Sequence, residues 1–176
     1  VAAPRVRLAR VVLVEAHHVG RAAEDLVAPR APARRHEVVL LGRSVRHPAF
    51  AFETDEDIAA ARAALGEVGA THLEDREFTT LSGGERQRVI LARAICQGGD
   101  VLLCDEPTAH LDLRHQAATF RLLRGLAARG RTVLVVTHDV QLAAQACDRL
   151  TILGPTELVA SGEPADVVTR ENLAAA

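Results

Sequence analysis

Apolar positions along this chain change their rhythm near Leu81. Beyond that point, short continuous apolar runs alternate with stripes at helical spacing. The runs Val101 to Cys104, Thr132 to Val136, Leu150 to Leu153 and Leu158 to Ser161 have the length and composition of buried strands. Among them a helix is expected from about Glu85 to Cys96, stopped by Gly98 and Gly99. Another starts behind Asp112 as its N-cap, carries the stripe Leu113, Ala117, Phe120, Leu123 and Ala127, and ends before Gly130. A third is expected from about Gln141 to Cys147, and a turn at Gly154 and Pro155 separates the last two strands. This order predicts an α/β fold with a mostly parallel sheet and flanking helices.

Upstream the pattern is helical and then indistinct. Thr54 followed by Asp57 has the spacing of a capping box, opening a helix through Ala59, Ala61, Ala64, Leu65 and Val68 with Gly69 as its stop. Residues Glu37 to Thr80 therefore form a small helical lobe in this reading. Before Glu37 the chain is rich in Arg, Ala and Pro, and only Val11 to Val14 has a strand-like run. Three parts result: an N-terminal segment, 1–36, either disordered or out of frame; a helical lobe, 37–80; and an α/β core, 81–176. No internal repeat is visible.

Composition narrows the function classes. The 176 residues are 48% hydrophobic and suit one domain with a real core. No apolar run approaches the roughly 20 residues that span a bilayer, and the start lacks the long apolar stretch of a secretory signal, so a cytoplasmic location is expected. A formal net charge of -2 gives no electrostatic case for nucleic-acid binding. Cys96, Cys104 and Cys147 lack metal-ligand spacing and sit in apolar stretches, as buried reduced thiols do. The chain contains no lysine, so all 21 of its basic residues are arginine.

The candidate chemistry lies at strand ends. In open α/β sheets ligands bind beyond the carboxyl ends of the strands, where Asp105, Glu106 and His138 are expected. A carboxylate there can hold a hydrated Mg²⁺ on a nucleotide, since Mg²⁺ keeps several waters and takes one or two carboxylates. A neighbouring carboxylate can polarise the attacking water, and an imidazole can contact the γ-phosphate. Ser82, Gly83 and Gly84 expose backbone N–H groups at a helix start, where the dipole favours an anion. Singly, each feature equally fits an ordinary strand end or turn.

Together, "LSGGERQ", "VLLCDEPTAHLD" and "VLVVTHD" occur in this order, and the chain resembles the ATP-binding subunit of an ABC transporter from about Glu37 to Asn172. "LSGGERQ" is similar to the family signature, "VLLCDEP" to its Walker B strand, "AHLD" to its D-loop, and His138 to its switch histidine. The resemblance implies a P-loop NTPase-like fold, ATP and Mg²⁺ as cofactors, Asp105 on the metal and Glu106 as general base. It implies that Ser82, Gly83, Gly84, Glu85 and Asp112 serve an ATP held by a second subunit, in a head-to-tail dimer. Transmembrane permease subunits would bind the helical lobe, keeping the protein peripheral on the inner face of the cell membrane, with no nucleic acid involved. "VVLLGR" and "HLDLRHQ" resemble importers of iron-siderophore complexes, haem or cobalamin.

The resemblance also implies features the sequence lacks: the sheet's opening strands, an aromatic that stacks on adenine, a phosphate loop with its lysine, and the Q-loop glutamine. A phosphate loop of the form G-x-x-x-x-G-K-[ST] needs a lysine to reach the β- and γ-phosphates. "RLARVVLVEAHH" resembles the strand leading to the family's Q-loop, but Glu15 and Ala16 stand where the glutamine is expected. Either the chain is truncated at its N-terminus, or residues 1–36 derive from a shifted frame. The leading expectation is an importer ATPase subunit that is inactive as this isolated chain; the alternative is a nonenzymatic remnant. ATPases of DNA repair or chromosome structure would carry long coiled coils, and no sustained heptads occur here.

Overall fold

A computed structural model describes residues 10–14, 35–46, 53–73 and 76–176. The chain divides into two compact units, Val1–Val19 with Asp100–Ala176, and Gly20–Gly99.

The first unit is built on five strands: β1 (Arg10–Val14), β2 (Val101–Asp105), β3 (Thr132–Val136), β4 (Arg149–Leu153) and β5 (Leu158–Gly162). Their order is β2-β3-β1-β4-β5, parallel except for the β4–β5 pair. One transverse row aligns Cys104 with Val135, Val135 with Val11, and Val11 with Leu150. The apolar run at Val11 to Val14 is thus an interior strand. Four helices accompany the sheet: α4 (Leu113–Ala128), α5 (Val140–Ala146), α6 (Pro164–Val167) and α7 (Arg170–Ala175). Helix α4 packs on β3 and α5, while α6 packs on β4 and β5. Leu102, Cys104, Val133, Val135, Leu150 and Ile152 are buried with Phe120, Leu123 and Leu126 of α4.

Strand β2 is not buried on both faces, although its continuous apolar run suggests that it would be. On β2 the alternate positions Val101 and Leu103 are 57% and 69% exposed. Covered on one face only, an apolar run gives alternating burial, because successive side chains point to opposite sides. Of the thiols, Cys96 and Cys104 are buried and Cys147 is half-buried, and none of the three is in a disulfide among the described residues.

The second unit contains α1 (Arg35–Leu40), α2 (Asp55–Glu67) and α3 (Gly83–Cys96), joined by 3-10 turns at Leu41–Arg46, Thr71–Leu73 and Phe78–Thr80. All three helices pack against one another. Val38, Val39, Leu65, Leu73, Val89, Ala92 and Ile95 lie in its core. The Thr54/Asp57 capping box forms at the start of α2, and Gly69 past its end takes φ +65°. Gly42 lies against the backbone of Arg93 so closely that a Cβ would overlap its carbonyl oxygen, so only glycine lets the chain after α1 cross α3 there.

This packing moves the expected boundary. Helix α3, assigned to the core from Leu81 onward, belongs to the helical unit because its apolar face is filled by α1 and α2. Helix α1 begins at Arg35, inside the segment left unassigned. The expected Q-loop position at Glu15 and Ala16 lies outside the described residues.

Candidate functional site

The strand-end residues are brought together by register. Asp105 at the end of β2 pairs with Val136 at the end of β3, and Glu106 N donates to Val136 O at 2.9 Å. Glu106 and His138 therefore emerge side by side. His138 N and His138 Nδ1 both reach Glu106 Oε1, at 3.1 and 3.0 Å. Glu106 Oε2 is buried without a hydrogen-bond partner among the described residues. Glu106 has φ +43° and His110 φ +60°, a left-handed backbone that costs a non-glycine residue energy and recurs at functional turns. Thr137, fully buried before His138, accepts from Asp139 N at 3.2 Å, and Asp139 caps α5 by accepting from Leu142 N.

Asp105 is exposed. No group of three or more His, Cys, Asp or Glu among the described residues forms a metal cage. One open carboxylate at a strand end, beside a second carboxylate with an orphaned oxygen, fits a Mg²⁺ that arrives on a nucleotide with its own waters.

Asp112 does cap α4: its Oδ1 accepts from His115 N at 2.9 Å and lies 2.8 Å from His115 Nδ1. The backbone N–H of His115, then its side chain, hold the Asp112 carboxyl below the usual carboxylate range. Sequence reasoning missed this local pair, although the three-residue spacing in "DLRH" was there to find it.

In the helical unit, Ser82 is the N-cap of α3, which starts at Gly83, two residues before the start expected at about Glu85. Ser82 N and Oγ donate to Glu85 Oε2 at 2.9 and 2.7 Å, closing a capping box. Gly83 and Gly84 form the first turn, so their N–H groups stand at the positive end of a 14-residue helix.

A mostly parallel sheet with flanking helices, and with acidic and histidine residues beyond its strand ends, has the architecture of the P-loop fold. The sequence pattern of the family described as "ABC transporter" matches residues 5–109, and the chain belongs to that family. It is 48% identical over 142 residues to a hemin import ATP-binding protein of Deinococcus radiodurans, across 78% of this chain and 53% of that protein. It is 43% identical over 142 residues to a cobalamin import ATP-binding protein of Halobacterium salinarum, across 80% of this chain and 35% of that protein. A solved inward-facing metal-chelate type ABC transporter superposes with TM-score 0.84 at 30% identity, over 95% of this chain and 76% of that one. The chain thus spans about half or less of the curated relatives it matches.

Proposed function

We propose that this chain is part of the ATP-binding, ATP-hydrolysing subunit of an importer of iron-siderophore complexes, haem or cobalamin. The observation that carries the reading is the pairing of Glu106 with His138 next to the open carboxylate of Asp105. Asp105 would hold Mg²⁺, which when bound neutralises charge on the nucleotide phosphates. Glu106 serves as base toward the attacking water, and His138 contacts the γ-phosphate. Ser82, Gly83 and Gly84 serve the ATP of a second, head-to-tail subunit, with Glu85 closing the cap and Asp112 following in the D-loop. The hemin and cobalamin importers among its relatives support the substrate class.

Permease subunits dock on the lobe from Glu37 to Thr80, which places the protein on the inner face of the membrane. No helix among the described residues is long and apolar enough to cross a bilayer. A nonenzymatic remnant is the second reading, favoured by the absence of any lysine. Nucleotide affinity of the chain joined to a lysine-bearing phosphate loop separates the two: an ATPase part then binds Mg²⁺-ATP, and a remnant does not.

The base assignment is tested in that completed protein. Glu106→Gln should keep ATP bound while turnover falls by about 10²- to 10⁴-fold, the usual worth of a general base. Unchanged turnover would remove Glu106 from the role. Crosslinks from permease only to residues after Asp112 would remove the lobe from its docking role.

A further inference from the structure

The side chain of His138 is 77% exposed, so it is placed less by packing than by the backbone that carries it. That backbone is tied down on both sides. Before it comes Thr137, which is fully buried directly after β3. Thr137 Oγ1 accepts from Asp139 N at 3.2 Å, bridging across His138. Behind it, Asp139 Oδ1 accepts from Leu142 N at 2.9 Å and Asp139 O from Ala143 N at 3.0 Å. Val140 N closes the turn on His138 O at 3.1 Å. The helix so capped, α5, has only seven residues, too few to hold a helical shape in water without help. Its first turn therefore depends on Asp139 and on the burial of Ala143.

We propose that Thr137 and Asp139 are positioning residues for ATP hydrolysis: together they brace the turn that presents His138. The inference rests on the reading of His138 as phosphate contact. Neither residue touches the nucleotide in this role. Thr137 fixes the amide of Asp139, and Asp139 fixes the start of α5, so His138 is held between two anchored neighbours. In that place His138 N meets Glu106 Oε1 at 3.1 Å. Losing the cap frees the first turn of α5, and the motion passes directly into the residue before it. Phosphoryl transfer depends almost wholly on positioning, and a misplacement of about 1 Å costs up to about 10²-fold. What the brace requires is an acceptor of the right reach, not a charge, because Asn caps a helix as well as Asp.

Two measurements separate the brace from an ordinary helix cap. In the chain as it stands, Asp139→Ala should speed hydrogen exchange at the amides of His138, Asp139 and Leu142 alike. Acceleration confined to Leu142 would overturn the inference. In the completed protein, Asp139→Ala should lower kcat by up to about 10²-fold and change KM for Mg²⁺-ATP by less, and Asp139→Asn should restore most of the loss. The same Asp139→Ala change in a His138→Ala background should cost nothing further, since residues that act as one unit are not additive. A full additional loss there, or a loss that Asn does not restore, sinks the brace and leaves the reading of His138 standing. Thr137→Val keeps the shape but removes the acceptor, so it should reproduce the kcat loss and decides the matter should Asp139→Ala fail to fold. Unchanged turnover in His138→Ala alone would overturn the phosphate contact, and the brace with it.

Discussion

Arg43 Nε donates to Asp57 Oδ1 at 2.7 Å, and the two side chains are 12% and 2% exposed. The same carboxylate accepts Thr54 N and Thr54 Oγ1 through Oδ2, at 3.0 and 2.7 Å. One buried group thus caps α2 and ties it to the segment after α1. The hydrogen bond to Asp57 raises the pKa of Arg43, keeping the guanidinium charged at any pH of interest. Removing one partner of a buried pair strands the other, typically at about 3–5 kcal/mol. Arg43→Ala should lower the midpoint of urea unfolding accordingly; a loss under about 1 kcal/mol, the value of exposed pairs, would refute the role.

The isolated chain should release no phosphate from Mg²⁺-ATP. Phosphoryl transfer depends on positioning and charge stabilisation at the β- and γ-phosphates, and no lysine is available to supply it. Arginine presents a planar fork rather than a compact ammonium. A phosphate-release assay on the purified chain, with Glu106→Gln beside it, checks this. Turnover abolished by that substitution would mean that residues 1–36 hold an unrecognised phosphate loop.

Burial pushes the Cys104 thiol up to about 12 from an ordinary value of 9.0. The folded state therefore prefers the protonated form. Its contribution to stability is intact below pH 9 and is lost progressively as pH rises from there toward about 12. Cys147 is shifted the same way, chiefly by burial. Alkylation of Cys104 at pH 8 should be slow in the folded chain and fast in urea. Equal rates would place the thiol at the surface.

Among the described residues strand β2 pairs only with β3, and its exposed Val101 and Leu103 add apolar surface to that edge. Edges of this kind recruit other chains. Leu103→Lys should reduce self-association in sedimentation velocity, with little change in unfolding midpoint because the side chain is already in water. Undiminished association would move the contact elsewhere.

Much of the local structure was legible because it is specified by neighbours in sequence. Thr54 with Asp57 marks the start of α2, and Asp112 that of α4, through bonds spanning three residues. Short helices such as α6 and α7 carry too few turns to show a period. The place of β1 between β3 and β4 was not legible, since parallel partners are chosen by distant residues. Exposure of Leu103 depends on what covers the sheet, which its own run of apolar neighbours does not encode. At the candidate site, Asp105, Glu106 and His138 could be singled out by type and position. The bond from His138 to Glu106 could not, because it follows from the register of Asp105 with Val136.

Helix α2 is fastened at its other end as well, where Arg88 Nη1, from α3, donates to Val68 O at 2.6 Å. A helix fixed at both ends by different elements cannot fray from either. Its amides should exchange together with those of α3, in a single opening event. Through these two arginines the turn beginning at Leu41 is coupled to one end of α2, and the helix that starts at Gly83 to the other.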